Sequence, residues 1–107
     1  MSDVKVEEIY YKNSANIYSR VPTIEGKKHG LYIRYDMKGN IVEKTQYNMD
    51  KCHGYSRLYN EKGAMIVESI YYDDKRHGMH TEYHPDGEVL NRVLFVNGKK
   101  HCNWSKL

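Results

Sequence analysis

Lys51-Cys52-His53-Gly54 repeats, at a step of 24 residues, a pattern already present at Lys27-Lys28-His29-Gly30, and it recurs at Lys75-Arg76-His77-Gly78. A fourth copy, Lys99-Lys100-His101-Cys102, keeps the step and loses the glycine. Repetition at a fixed period of this size signals an array of supersecondary units, each too small to bury a hydrophobic face alone. A second glycine keeps the same step at Gly39, Gly63 and Gly87, behind the polar turn formers Asp36-Met37-Lys38, Asn60-Glu61-Lys62 and His84-Pro85-Asp86. Glycine supplies positive φ without steric cost, as tight turns require. Each repeat therefore holds two turns. One is assigned to Gly30, Gly54 and Gly78 with His29, His53, His77 and His101, the other to Gly39, Gly63 and Gly87.

Between the turns lie short segments, such as 31–35 and 41–47, rich in β-branched and aromatic residues that suit strands. The expectation is an all-β fold, a meander of antiparallel β-hairpins forming an elongated, twisted repeat sheet. Tyr35, Tyr47, Tyr59, Tyr71, Tyr83 and Phe95 follow one another every 12 residues. Tyr47 and Tyr59 are equidistant from His53, and Tyr71 and Tyr83 from His77. Hairpins closed at Lys-x-His-Gly would set these pairs face to face, with Thr23 opposite Tyr35 and Phe95 opposite Leu107 at the ends; such aromatic pairs contribute about 0.2–1 kcal/mol each. Segments 4–11 and 16–24 flank the polar Lys12-Asn13-Ser14-Ala15 and read as one more hairpin. The organisation is thus a hairpin cap over 1–24 and three and a half repeats over 25–107, in one structural domain.

Alternation along the strands is imperfect. The odd positions carry Ile41, Tyr47, Val67, Tyr71, Val93 and Phe95, and the even ones Val42, Ile70, Tyr72, Leu90, Leu94 and Val96. With both faces partly apolar, the sheet must curl, be covered by the N-terminal hairpin, or pair with another molecule.

Seventeen basic and 14 acidic residues are interspersed and leave a net charge of +3, too little to make a nucleic-acid binder by charge alone. Eleven tyrosines stand against one Phe and one Trp. An amphipathic ring with high strand propensity suits a thin, half-wet sheet. The longest apolar run, 93–96, is far short of the roughly 20 residues that cross a bilayer, and residues 1–8 show no signal-peptide core. A cytoplasmic location and two reduced thiols, Cys52 and Cys102, are expected.

Three sets of residues are candidates for chemistry. The histidine ladder suggests a metal site, but a meander adds two strands per repeat and spaces equivalent histidines about 10 Å apart, whereas metal ligands converge within about 2 Å of one ion. Stacking at about 4.8 Å would need a parallel solenoid, which the paired turns disfavour. No metal or cofactor is expected. Lys27, Lys51, Lys75 and Lys99 with Lys28, Arg76 and Lys100 form a basic edge, the candidate anion contact, offset by Glu25, Asp50, Asp73 and Asp74. Such an edge discourages sheet-to-sheet aggregation and would also meet phospholipid headgroups. Tyr32, Tyr55, Tyr72, Leu94 and Trp104 are the candidate protein contacts, and Tyr10 and Tyr18 join Tyr32, Tyr55 and Tyr72 off the aromatic lattice. No nucleophile elbow, phosphate loop or zinc spacing is present, so a non-enzymatic protein is expected.

The pattern Gly30, Tyr35, Gly39, Tyr47, Lys51-x-His53-Gly54, repeated as Gly54, Tyr59, Gly63, Tyr71, Lys75-x-His77-Gly78, resembles the MORN (membrane occupation and recognition nexus) repeat in its bacterial and viral variant form. The likeness spans about residues 25–107. It implies an elongated sheet of hairpins that serves as a protein-interaction scaffold and often self-associates into homodimers, with phospholipid contact proposed for some relatives and an antitoxin-like label attached to bacterial ones. Two departures stand out. The glycine that precedes the motif lysine at Gly26 and Gly98 is replaced by Asp50 and Asp74, and Cys102 replaces the last motif glycine.

Overall fold

The computed structural model describes the backbone of residues 3–105 and the side chains of residues 3–100. Eleven strands run in order: β1 Lys5–Tyr10, β2 Ile17–Ile24, β3 Lys27–Lys28, β4 Gly30–Tyr35, β5 Ile41–Asn48, β6 Lys51–Tyr59, β7 Met65–Tyr72, β8 Lys75–Arg76, β9 Gly78–Tyr83, β10 Val89–Val96 and β11 Lys99–Ser105. All pairings are antiparallel and form one open sheet, ordered β1-β2-β4-β5-β6-β7-β9-β10-β11, with β3 on β2 and β8 on β7. The meander expected from the repeat is therefore present. Among the described residues no helix is long and apolar enough to cross a membrane.

The molecule measures 45 × 34 × 19 Å, and because every described strand belongs to the one sheet, no second layer of secondary structure packs on it. The N-terminal hairpin does not cover the sheet. It continues it, since β2 pairs Thr23 with Lys28 and Ile24 with Lys27 just as β7 pairs Tyr71 with Arg76 and Tyr72 with Lys75. Among the described residues Val21, Pro22 and Val93 are the buried apolar side chains, joined by buried Ser19, Thr23, Thr45, Ser69 and Thr81. Val21, Thr45, Ser69 and Val93 fall on the 24-residue step, so each repeat supplies one small or β-branched residue to the same protected row.

The hairpins close immediately before the motif lysine, not at Lys-x-His-Gly. At Glu25-Gly26, Met49-Asp50, Asp73-Asp74 and Asn97-Gly98 both residues have positive φ, the signature of the two-residue type I′ turn whose twist matches the strands it joins. Asp50 and Asp74, each at φ 73°, take the place of Gly26 at 79° and Gly98 at 84°, so the turn survives the loss of glycine. Asp is one of the few residues that adopt this conformation readily. The carboxylates compensate: Asp50 Oδ1 accepts from the Lys28 N–H at 2.8 Å and Asp74 Oδ1 from the Cys52 N–H at 2.9 Å.

The motif glycines sit inside strands, at a bulge. Along β5 and β6 the register passes from Tyr47↔Cys52 to Thr45↔Ser56, so β6 carries two extra residues around His53-Gly54. The same two-residue excess separates Thr23↔Lys28 from Arg20↔Ile33, and Tyr71↔Arg76 from Glu68↔Thr81. In the last hairpin, where Cys102 replaces glycine, Leu94↔Cys102 follows Phe95↔Lys100 with one extra residue. The bulge breaks the symmetry about the histidines. Tyr47 pairs with Cys52 and with Gly30, and Tyr59 with Met65, so Tyr47 and Tyr59 do not face each other. Instead Tyr47, Tyr71 and Phe95 each lie directly opposite a motif glycine, Gly30, Gly54 and Gly78. Thr23 likewise pairs with Lys5 and Lys28, not Tyr35, while Leu107 lies outside the described residues.

The second turn of each repeat matches the expectation. Asp36 N–H donates to the Asn40 carbonyl at 2.9 Å and Gly39 N–H to the Asp36 carbonyl at 3.0 Å, a type I turn ending in Gly39 at φ 88°.

The two glycine sets differ in what a side chain would meet. Gly54 has φ 115°, and a Cβ there would collide with Gln46 Oε1, which accepts from the Tyr55 N–H at 2.9 Å; at Gly63, φ 87°, nothing lies within 4 Å. Gly63→Ala should cost about 1–2 kcal/mol from backbone conformation alone. Gly54→Ala should add to a comparable strain roughly 0.5–1.5 kcal/mol for the displaced Gln46 bond. Urea denaturation of the two variants compares them, and equal losses would show that the Gln46 contact contributes nothing.

Candidate interaction surface

Cross-strand partners share a face, so the register sorts the candidate residues onto two surfaces. One face carries the protected row with its hydroxyls. Thr45 Oγ1 lies 2.8 Å from Ser56 Oγ and donates to Glu43 Oε2 at 2.8 Å, Glu43 holds Arg34 at 3.1 Å, and Ser69 Oγ lies 2.5 Å from His80 Nδ1. Around them stand the aromatic rings, with Tyr32 edge-on to Tyr47 at 6.1 Å and His80 edge-on to Phe95 at 6.2 Å. Burial, with a smaller contribution from Glu43, raises the Tyr32 pKa, and Tyr47 is raised mainly by burial. Both phenols stay neutral.

The opposite face carries Leu31, Tyr55, Ile70, Met79 and Leu94, linked through the pairs Leu31↔Gln46, Tyr55↔Ile70 and Met79↔Leu94. The Arg57 guanidinium lies 3.7 Å from the Tyr55 ring centroid and its Nε 2.7 Å from Glu68 Oε2. Tyr55, Tyr72 and Leu94 thus share one face, and Tyr32 lies on the other. Exposed apolar side chains on or beside this face include Tyr72 at 61 %, Leu90 at 51 % and Val96 at 40 %. Trp104 lies outside the residues with described side chains, as does His101.

The motif histidines fasten one repeat to the next. His29 Nδ1 accepts from the Met49 N–H at 3.3 Å, His53 Nδ1 from Asp73 N–H at 3.2 Å, and His77 Nδ1 from Asn97 N–H at 3.2 Å. Only a ring with its proton on Nε2 accepts at Nδ1. Beside these bonds the second turn residue donates to the preceding motif, Asp50 N–H to the Lys28 carbonyl at 2.8 Å, Asp74 N–H to Cys52 at 2.8 Å and Gly98 N–H to Arg76 at 2.7 Å. Tyr72 spans two of the rings, 4.7 Å from His53 and 6.2 Å from His77. Among the described residues no group of three or more His, Cys, Asp or Glu converges.

The basic residues lie along the edge that carries these turns but on two different faces. Lys28, Arg76 and Lys100 pair with Thr23, Tyr71 and Phe95, whereas Lys27, Lys51, Lys75 and Lys99 pair with Ile24, Asn48, Tyr72 and Val96. Lys28 Nζ sits 5.0 Å from the Tyr47 ring centroid, the Arg76 guanidinium 5.1 Å from that of Phe95, and Lys51 Nζ 3.5 Å from Asp73 Oδ1. Lys27, Lys75, Lys99 and Lys100 are exposed. Cys52, at the corresponding step to Lys28 and Arg76, is a half-buried free thiol whose pKa is raised, mainly by burial and also by Asp74, with Tyr47 opposing. It is a weak nucleophile in this setting.

Searches of protein-family models and of curated proteins found no match to this chain.

His80 titrates against the fold. Burial, then the Arg76 charge, lowers its pKa from 6.5, with Glu82 opposing. The unfolded chain therefore binds the proton more readily, so stability is full above about pH 6.5 and falls as the pH drops through the folded value, levelling below it. The denaturant midpoint should decline between about pH 7 and 5, and His80→Gln should flatten part of that decline. An unchanged slope in the variant would show that His80 does not carry this pH dependence.

Proposed function

We propose that this chain is a non-enzymatic, MORN-type repeat scaffold that acts in the cytoplasm by binding another protein, a second copy of itself included. The observation that carries the reading is the apolar row of one face, from Leu31 through Tyr55 and Ile70 to Met79 and Leu94, over which no second layer of described secondary structure packs. Exposed apolar surface rimmed by charge is how protein contacts are built, and tyrosine is enriched in them. The Arg57 guanidinium stacked on Tyr55 supplies a preorganised cation beside that row. Inhibition of one partner, as the antitoxin-like label suggests, would be a special case of the same binding.

A second reading, contact with anionic phospholipid, draws on the exposed Lys27, Lys75, Lys99 and Lys100 along the turn-bearing edge. The acids of the same turns weigh against it, with Asp73 holding Lys51 at 3.5 Å and Glu25, Asp50 and Asp74 set along the same edge.

Salt separates the two. The tagged chain would be exposed to lysate of its source organism and to phosphatidylserine vesicles, at physiological salt and at about 0.5 M, where screening is severe. A stoichiometric protein that survives the high-salt wash, and is lost when Tyr55 and Leu94 are changed to Ser, is the expected result. Vesicle binding that collapses at high salt, with no protein retained, would replace the protein reading with the lipid one.

A further inference from the structure

Two cavities open at the edge of the sheet that carries the Asp36–Asn40 type of turn. One, of about 430 Å³, is lined by Ile41, Lys44, Tyr59 and Lys62 with the adjoining turn residues; the other, of about 330 Å³, by Ile17, Arg20, Tyr35 and Lys38 with theirs. Adding 24 to every residue that lines the smaller cavity gives the complete lining of the larger. The two are therefore successive copies of one notch between neighbouring turns.

Each notch combines an isoleucine, a tyrosine and two cations. Lys44 Nζ lies 5.8 Å from the Tyr59 ring centroid and the Arg20 guanidinium 5.6 Å from that of Tyr35, while Lys62 and Lys38 are exposed at the turns. One carboxylate offsets each pair of cations: Glu61 lines the larger notch, and Glu8 holds Arg20 Nε at 3.1 Å in the smaller. Asp36, beside Lys38, is committed to backbone, accepting from the N–H groups of Asn40 and Lys38, and is held below the usual carboxylate range chiefly by the first of these. Asn60, which is neutral, stands at the matching place in the next turn. Among the described residues Lys44 makes no ion pair. At the third step the series changes sign, with Glu68 and Asp86 where Lys44 and Lys62 would recur, and Glu68 is already bound to Arg57.

We propose that the two notches form one binding site for an acidic peptide in the polyproline II conformation, with a carboxylate on every third residue. Successive notches are two strands apart, about 10 Å. One turn of polyproline II is three residues of roughly 3.1 Å, about 9.3 Å, so side chains at i and i+3 reach both notches from the same side of the ligand. An extended β-strand turns residues i and i+3 to opposite faces, and an α-helix needs two full turns to cover the distance. The tyrosine and isoleucine surfaces receive the intervening apolar residues, as aromatic-lined grooves receive proline, and the rigid ligand loses little entropy on docking. The cations receive the carboxylates. The acidic third step limits the ligand to two turns. This site deepens the protein-binding reading, on which it rests, by assigning a partner chemistry to a different edge.

The test uses the full chain and two fluorescein-labelled peptides of identical composition, three Pro-Pro-Glu units in tandem and an isomer with its three glutamates adjacent. Fluorescence anisotropy should show saturable binding of the tandem peptide, with the isomer weaker on the order of tenfold because it cannot reach both notches at once. Lys44→Glu should weaken the tandem peptide by a similar factor while leaving the far-ultraviolet circular dichroism unchanged. Equal affinity for the two isomers, or indifference to Lys44→Glu, overturns the site. Failure of the peptides while a lysate partner is still retained removes this site and leaves the broader protein-binding reading standing; loss of both removes both.

Discussion

A single sheet wetted on both faces cannot draw its stability from a hydrophobic interior, and every other feature of this protein answers that constraint. With Val21, Pro22 and Val93 as the buried apolar side chains among the described residues, the protected row is one residue deep, and Thr45 and Ser69 occupy it at the intervening repeats. A hydroxyl in such a place is tolerable only when it is bonded, and both are, to Ser56 and His80. Stabilisation must then come from neighbour to neighbour across the strands, through ring on ring, cation on ring and carboxylate on guanidinium. The motif glycines answer the same need, since Pro22, Gln46 and Ile70 close over Gly30, Gly54 and Gly78 more tightly than a side chain there would allow.

The two long edges of the sheet are built differently. Along one, each type I′ turn after the first donates to the carbonyl of the preceding motif, and His29, His53 and His77 each accept from the following turn, so successive repeats are fastened by several bonds. Along the other, the backbone hydrogen bonds of the turns at 36–40, 60–64 and 84–88 close within each turn, and beside the first of them the Tyr11 hydroxyl donates to the Tyr35 carbonyl at 2.7 Å. In an array where each unit touches only its neighbours, this concentrates cohesion on one side. The opposite side is free to vary in sequence, and there the lining of the notches changes from cationic to acidic between the second and third steps.

The architecture was legible because the glycine, aromatic and Lys-x-His-Gly positions keep one period, and a period survives whatever the local geometry does. The point of closure was not. Met49-Asp50 and Asp73-Asp74 lack the glycine or asparagine that usually marks a type I′ turn, and the glycine that is present in the motif serves a bulge instead. The two extra residues of the bulge then displace the apparent mirror at His53 and separate Tyr47 from Tyr59. Period-two reading fails for the same reason. A further register shift between Arg34 and Tyr35 pairs Ile41 with Tyr35, across from the face that holds Tyr47, so the odd and even positions of the sequence do not correspond to the two faces. Tyr32 and Tyr55 are divided by simpler means: Tyr55 holds the repeat position of Leu31, the residue beside Tyr32 on β4, so alternation sends the two to opposite faces. The protected row was available in principle, since Val21, Thr45, Ser69 and Val93 keep the period, but two of its four members are polar and carry no signal of burial.

The strongly fastened edge and the variable edge together suggest how such an array tolerates change. A substitution at a turn residue of a notch, such as Lys38 or Lys62, alters a side chain carried by a turn that closes on itself, so its effect stays local; a substitution at a motif histidine or glycine alters a junction shared by two repeats. Binding energy from a ligand that spans two notches would add to the cohesion between those repeats on the side where the protein supplies least of its own, since a ligand that binds only the folded array stabilises it by mass action. Recognition and stability are thus assigned to opposite ends of the same strands, and neither end needs a buried core.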